Sequence, residues 1–362
     1  MQNRTSWSAC GMALAVSIVM TMAVSPLFAQ IPGTWSATNQ LANSTENPTS
    51  TLLQNGKVLV TGGDLGTIIV TIRKAQLYDP STNSWSATGK MTALRGYHSA
   101  AMLPNGQVLV SGGTNGNIGS NGYDLTILKS AELYDPAAGK FTATGKMSTA
   151  RMGHASTLLP NGKVLVTGGI YSEKPRLRWA AATNTTEVFD PATGSWSSAG
   201  TMSTLRAYHS ATLLPSGKVL VVGAGSADLY DPNTNTWTAT GSPISKSTAS
   251  PAVLLQNGKV LFANPLGTAE LYDPNTGKFT QTGAMGTQHS GGMVLLTSGK
   301  ALIAGSYATG TCELYDPLTG TWSFTGSLNS YRTNAPVTLL SDGRVLITGG
   351  TPVWWNGEIY TP

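Results

Sequence analysis

Apolar and polar positions alternate along this chain in one arrangement written seven times. A short apolar run meets a two-residue break ending in Gly, and a second apolar run follows, as in STLLQNGKVLVTGG at 50–63, SAAMLPNGQVLVSGG at 99–113 and ASTLLPNGKVLVTGG at 155–169. The breaks are Asn55-Gly56, Asn105-Gly106, Asn161-Gly162, Ser216-Gly217, Asn257-Gly258, Ser298-Gly299 and Asp342-Gly343. Asn-Gly or Asp-Gly between β-rich runs predicts a hairpin, because both central residues can take positive φ. A third strand is predicted to end in LYDP at 77–80, 133–136, 229–232, 271–274 and 314–317, VFDP at 188–191 and IYTP at 359–362. Asp-Pro suits the turn after it, since Asp bonds its own backbone and Pro presets φ. A fourth strand carries Trp35, Trp85, Phe141, Trp196, Trp237, Phe279 or Trp322.

The fourth-strand aromatics are out of step with the rest. Trp35 precedes any hairpin, while the last copy stops at IYTP with no fourth strand after it. The N-terminal strand is therefore predicted to complete the blade that the C-terminal three begin. From Tyr78 to Tyr360 there are six intervals averaging 47 residues, within the range of four-stranded propeller blades. The predicted fold is all-β, a seven-bladed β-propeller over residues 30–362, which hides its sheet edges by radial packing.

The diglycines after the second strand (Gly62-Gly63, Gly112-Gly113, Gly168-Gly169, Gly349-Gly350), followed by Tyr and then Trp, resemble the kelch repeat. No blade ends in the Trp-Asp of WD40 repeats. The wording RxYHSAxLLPNGKVLVxGG, then AELYDPxTGxW, is similar to the kelch propeller of the galactose oxidase group, over essentially the whole chain after residue 29. Blades 4 to 6 depart from the diglycine, with Gly223-Ala224, Asn264-Pro265 and Gly305-Ser306.

Composition adds the compartment. Residues 1–29 have the form of an export signal: Arg4, an apolar run from Met12 to Val24, then Ser25-Pro26-Leu27-Phe28-Ala29, with cleavage expected after Ala29. The run is too short for a comfortable membrane span and no later stretch is longer, so a secreted or periplasmic protein is expected. Loss of the signal removes Cys10 and leaves Cys312 without a disulfide partner. With 22 basic and 17 acidic residues, the charge gives no clear nucleic-acid signal.

Aligned on the hairpin, Arg95, Arg151 and Arg206 share a column, as do His98, His154 and His209, at the entrance to the innermost strand of blades 2, 3 and 4. Such a patch suits either structural hydrogen bonds between blades or a polar or anionic ligand held by Arg forks. Long loops of blades 1 to 3 on the same face, including Arg176, Arg178 and Trp179, with Trp354 and Trp355 in blade 7, would add an aromatic and basic rim. Carbohydrate, an anionic polymer or a protein partner are the expected ligands.

The resemblance also implies an alternative, copper oxidoreductase chemistry, because the galactose oxidase group draws a Tyr-His ligand pair from this motif. Tyr208-His209 and Tyr97-His98 match it, and His154 is a further metal candidate. The group also needs a Tyr cross-linked to Cys, whereas Cys312 stands in a column of small third-strand residues. Most carboxylates fall in repeat columns. The remainder, Glu46, Asp64, Asp124 and Glu173, form no evident pair of the kind glycoside hydrolysis needs. The expectation is a binding module without a cofactor of its own.

Overall fold

The structure, a computed structural model, describes residues 33–362 apart from 42–44, 66–69, 117, 120–121, 124, 173–179, 248–249, 307–308 and 353–355. The expected export signal lies outside the described residues. Among them there are no helices, and seven antiparallel four-stranded sheets follow one another along the chain. Blade 1 runs Thr49–Leu52, Val58–Thr61, Ala75–Asp79 and Ser84–Ala87. Blade 3 extends its outer pair to Ala181–Asp190 and Ser195–Arg206 and adds a short strand at Ile170–Tyr171. First strands of neighbouring blades touch all the way round, blade 7 against blade 1 included. They surround the axis.

Burial follows from that radial order. The second strands (Val58–Thr61, Val108–Ser111, Val164–Thr167 and their equivalents) are buried at every position, since each lies between two blades, which is why they read as unbroken apolar runs rather than alternations. The outer strands leave mainly their aromatic half-covered. Each third-strand aromatic sits opposite its fourth-strand partner, Tyr78 against Trp85 and Tyr315 against Trp322 for example, with ring centroids 5.0 and 5.1 Å apart. The tyrosine hydroxyls of blades 2, 5, 6 and 7 then reach the preceding blade, at Thr88, Thr240, Thr282 and Thr325.

The ring closes as the sequence predicts. Thr34–Gln40 pairs antiparallel with Asn356–Thr361, placing Trp35 opposite Tyr360. Trp35 is 8% exposed and packs with Cys312, Leu328 and Tyr360. Removing a buried Trp typically costs about 3–5 kcal/mol. Trp35→Ala should therefore lower stability by about that amount in urea denaturation, and a loss under about 1 kcal/mol would mean that the N-terminal strand does not hold the ring shut.

Candidate functional site

The chain crosses from one blade to the next without a continuous ladder, so its backbone amides need other partners. The third-strand carboxylate supplies them. Glu132 accepts the amides of Thr92 and Ala93, Glu187 those of Ser148 and Thr149, Glu270 those of Ile244 and Ser245, and Glu313 those of Gly286 and Thr287. The arginine column lies on the same carboxylates. Arg95 meets Glu132 at 2.8 Å, Arg151 meets Glu187 at 3.0 Å, Arg206 meets Asp228 at 2.5 Å and Arg332 meets Glu358 at 2.9 Å, all with fully buried guanidinium groups.

Of the two roles that the sequence leaves open to Arg95, Arg151 and Arg206, these bonds are of the structural kind. Arg95 spends all five N–H donors inside blade 2, on Glu132, the carbonyls of Gly112 and Ser130, and the Ser130 hydroxyl. Arg151 does the same with Glu187, Gly168 and Thr185. Two blades without the arginine fill its place from elsewhere: Asn264 donates to Glu270 in blade 5, and His289 bonds Glu313 at 2.9 Å in blade 6. His289 escaped the alignment because it stands one position beyond the arginine column, at Gln288.

The histidines bridge backwards. His98 Nε2 bonds Thr49 and Thr61 of blade 1, His154 Nε2 bonds Ser99 and Ser111 of blade 2, and His209 Nε2 bonds Thr167 of blade 3. Burial, reinforced by Arg95, holds His98 down at about 3, and burial with Arg206 and Arg151 does the same for His209. His154 also lies well below the ordinary range, through burial and then Arg151. All three stay neutral in the fold. Their Nδ1 atoms have no well-aligned hydrogen-bond partner.

The surface at the axis is made by the residue just before each histidine position. Asn47, Tyr97, Gly153, Tyr208 and Asn334 all have φ between 50° and 59°, the left-handed region that bulky side chains rarely adopt. Their backbones step round the axis, Gly153 N–H donating to the Tyr97 carbonyl at 2.9 Å and Tyr208 N–H to the Gly153 carbonyl at 2.7 Å. Gly153 also makes room, since a Cβ there would lie 2.6 Å from the Tyr208 ring. Tyr208, 44% exposed, stands edge-on to Tyr97 at 6.3 Å between centroids.

These five residues, with Pro48 and His98, line a cavity of about 490 Å³. A second of about 430 Å³ shares Pro48, Tyr208 and Asn334 and continues past Ser250, His289 and Ser290. Asn47 and Asn334 were legible only as a column of residue types that tolerate left-handed backbone. Beside the funnel, Glu46 and Asp64 face each other across a two-residue bridge, with both backbone hydrogen bonds at 2.9 Å. The bridge brings together two of the carboxylates that stand outside the repeat columns. Burial and then Asp64 raise Glu46, and burial followed by Asp64 holds the Tyr97 phenol up at about 12. Arg176, Arg178, Trp179, Trp354 and Trp355 lie outside the described residues, as do Asp124 and Glu173.

The donor set does not fit copper. The Nε2 atoms of His98, His154 and His209 are committed to hydroxyls of three different blades, and among the described residues no three His, Cys, Asp or Glu side chains are arranged to hold a metal. Cys312 is sealed in the core beside Trp35, its thiol pushed up to about 12 by burial.

Two outcomes follow. Arg151→Ala leaves Glu187 buried without its cation, so it should cost about 3–5 kcal/mol of stability, with Arg151→Lys recovering only part because one ammonium cannot supply five donors. A wild-type melting temperature for Arg151→Ala would contradict this. The histidine values, near 3 in the fold against 6.5 unfolded, mean that the unfolded chain takes up protons first as pH falls. Stability should be full above pH 6.5 and fall towards pH 3 by about 1.4 kcal/mol per pH unit for each histidine. His209→Gln should flatten that slope in urea titrations between pH 7 and 4, and an unchanged slope would assign the acid sensitivity to other groups.

A family model described as the kelch motif matches residues 151–203, the crossing segment and the four strands of blade 3 nearly to their end. No curated protein sequence matches significantly. Among solved structures, a fungal alcohol oxidase of the AA5 family in complex with copper has 17% identity and a TM-score of 0.71, covering 91% of this chain and 76% of its own. The structure of YjhT has 16% identity and a TM-score of 0.60, covering 80% of this chain and 99% of its own. At such identities the likeness is one of fold. With the seven closed blades, it makes this chain a seven-bladed β-propeller that carries a kelch motif in blade 3.

Proposed function

We propose that this protein is an exported binding propeller that holds a neutral, hydroxyl-rich ligand, a carbohydrate, in the axial funnel. One observation carries the reading: Tyr97 and Tyr208 are held at φ of 54° and 55° on the funnel wall. A bulky residue there costs about 1–3 kcal/mol. Gly153 meets the same backbone requirement in blade 3 without that strain, so the fold does not need tyrosine at this position. Tyrosine edges and the Asn47 and Asn334 amides are the groups that pack on and bond to sugar rings.

The electrostatics favour a neutral ligand over an anionic polymer. The arginines that would hold anions are spent inside the blades, and the Glu46–Asp64 pair lies next to Tyr97. Export rests on the pattern of residues 1–29. The similarity to a copper-bound alcohol oxidase is the support for an oxidoreductase, and the poor fit of the histidines and Cys312 to copper weighs against it.

A glycan-array screen followed by calorimetry tests the reading. Tyr208→Gly should weaken binding by about 0.5–1.5 kcal/mol, up to roughly tenfold, while the melting temperature stays level or rises as the strained backbone relaxes. A protein that binds no glycan, or a Tyr208→Gly variant with wild-type affinity, would overturn the assignment.

A further inference from the structure

The face opposite the funnel repeats its own ion pair. In five of the seven blades a lysine after the hairpin turn reaches the aspartate that ends the third strand: Lys57 to Asp79 at 3.0 Å, Lys163 to Asp190 at 2.9 Å, Lys218 to Asp231 at 3.2 Å, Lys259 to Asp273 at 3.3 Å and Lys300 to Asp316 at 3.3 Å; blade 7 has Arg344, paired with Asp342 of its own turn, and Thr361 in the aspartate column. The contact is built the same way each time. Aspartate Oδ1 accepts a backbone amide two residues on, which leaves Oδ2 for the ammonium.

Blade 2 breaks the pattern at one atom. Asp135 Oδ1 is held by the amides of Ala137 and Ala138 at 2.8 and 3.3 Å, but Gln107 stands where the lysine should be. Gln107 turns its Oε1 to the Asn105 amide at 3.1 Å. Among the described residues Asp135 Oδ2 has no partner. The crevice it faces, between blades 1 and 2, has a volume of about 520 Å³ and is lined by Gln54, Asn55, Asn105, Gln107 and Asp135. The equivalent crevice between blades 4 and 5, which contains Lys259 and Asp273, measures about 410 Å³.

Five of the other six blades therefore show what this crevice lacks, which is a primary ammonium on Oδ2. An exposed ion pair by itself is worth little, so a ligand needs further contacts. Four amide side chains line the crevice with the carboxylate; Asn105 is spent on Gln107, Gln54 Nε2 on the Pro104 carbonyl and Asn55 Oδ1 on the Lys57 amide, and the amide groups of Asn55 and Gln107 not used in these bonds can donate to hydroxyl groups. We propose that the crevice between blades 1 and 2 is a second binding site, for an amino sugar whose ammonium occupies the lysine position on Asp135 while its hydroxyls meet the surrounding amides. This site is on the opposite face from the funnel and does not depend on the function proposed there.

The chain supplies its own competitor, because Gln107→Lys restores the lysine found in five other blades and should not disturb the fold. Backbone amide shifts of the isotope-labelled protein are followed at pH 6 during titration with glucosamine oligomers and, separately, with N-acetylglucosamine oligomers, which lack the ammonium. Glucosamine oligomers should shift residues 53–55, 105–107 and 135–137, and the acetylated oligomers should leave them unmoved. Gln107→Lys and Asp135→Asn should each weaken the effect at least fivefold. The reciprocal Lys259→Gln should create new shifts at 257–259 and 273–275.

Shifts confined to the funnel, equal binding of acetylated and free oligomers, or Gln107→Lys behaving as wild type would each overturn the site. So would a lysine-rich peptide binding there with the sugars inert, which would make the partner a protein.

Discussion

The buried carboxylate of the third strand is the constraint on which the rest of this propeller depends. The chain must cross between blades with no ladder to pair its amides, and an ionised oxygen pair accepts two of them at once. A carboxylate placed there needs a cation or donors of its own, since an uncompensated buried charge is costly. Arg95, Arg151, Arg206 and Arg332 meet that need from the crossing segment itself. Crossing segment and blade are thus fixed by the same group. Asn264 and His289 show that the requirement is for a donor at that point rather than for arginine as such.

From this anchor the diglycine and the histidine follow. The second glycine amide of blades 1, 2 and 3 donates to the carbonyl of the next blade's arginine, at 2.8, 2.7 and 2.8 Å. A Cβ on the first glycine would lie within 2.4 to 2.5 Å of that carbonyl and within 2.7 to 2.8 Å of the following histidine ring. Diglycine, Arg and His are therefore one device that joins adjacent blades. Its loss after blades 4 and 5, where Gly223-Ala224 and Asn264-Pro265 stand, coincides with the loss of both Arg and His from blades 5 and 6.

Because the repeat accounts for so much, the residues it does not account for stand out on both faces. On the axial face these are Tyr97 and Tyr208, in a backbone conformation that glycine or asparagine adopts at less cost. On the hairpin face it is Gln107, one side chain that leaves a carboxylate oxygen open. Both positions are supported by fixed neighbours: backbone hydrogen bonds that link Tyr97, Gly153 and Tyr208 in one case, a tight turn and an aspartate held by two amides in the other. Sites supported in this way keep their geometry without help from a ligand.

The sequence by itself determined the number of blades, the order of strands within each and the closure of the ring by the strand that carries Trp35. All of these rest on spacing along the chain, and spacing survives in the sequence because hairpins and period-two strands are local. Only the tertiary structure decided which way the columns face. Arg95 and His98 stand three residues apart, yet one turns into its own blade to meet Glu132 and the other reaches back to Thr49 and Thr61. Nothing local separates those outcomes. They depend on which blade packs against which side of the crossing segment, as does the meeting of Glu46 with Asp64 and the position of His289 on Glu313. A repeat gives equivalent residues equivalent places, but what each place touches is set by contacts between segments some 20 to 60 residues apart, and these form only when strands and blades distant in the chain pack together.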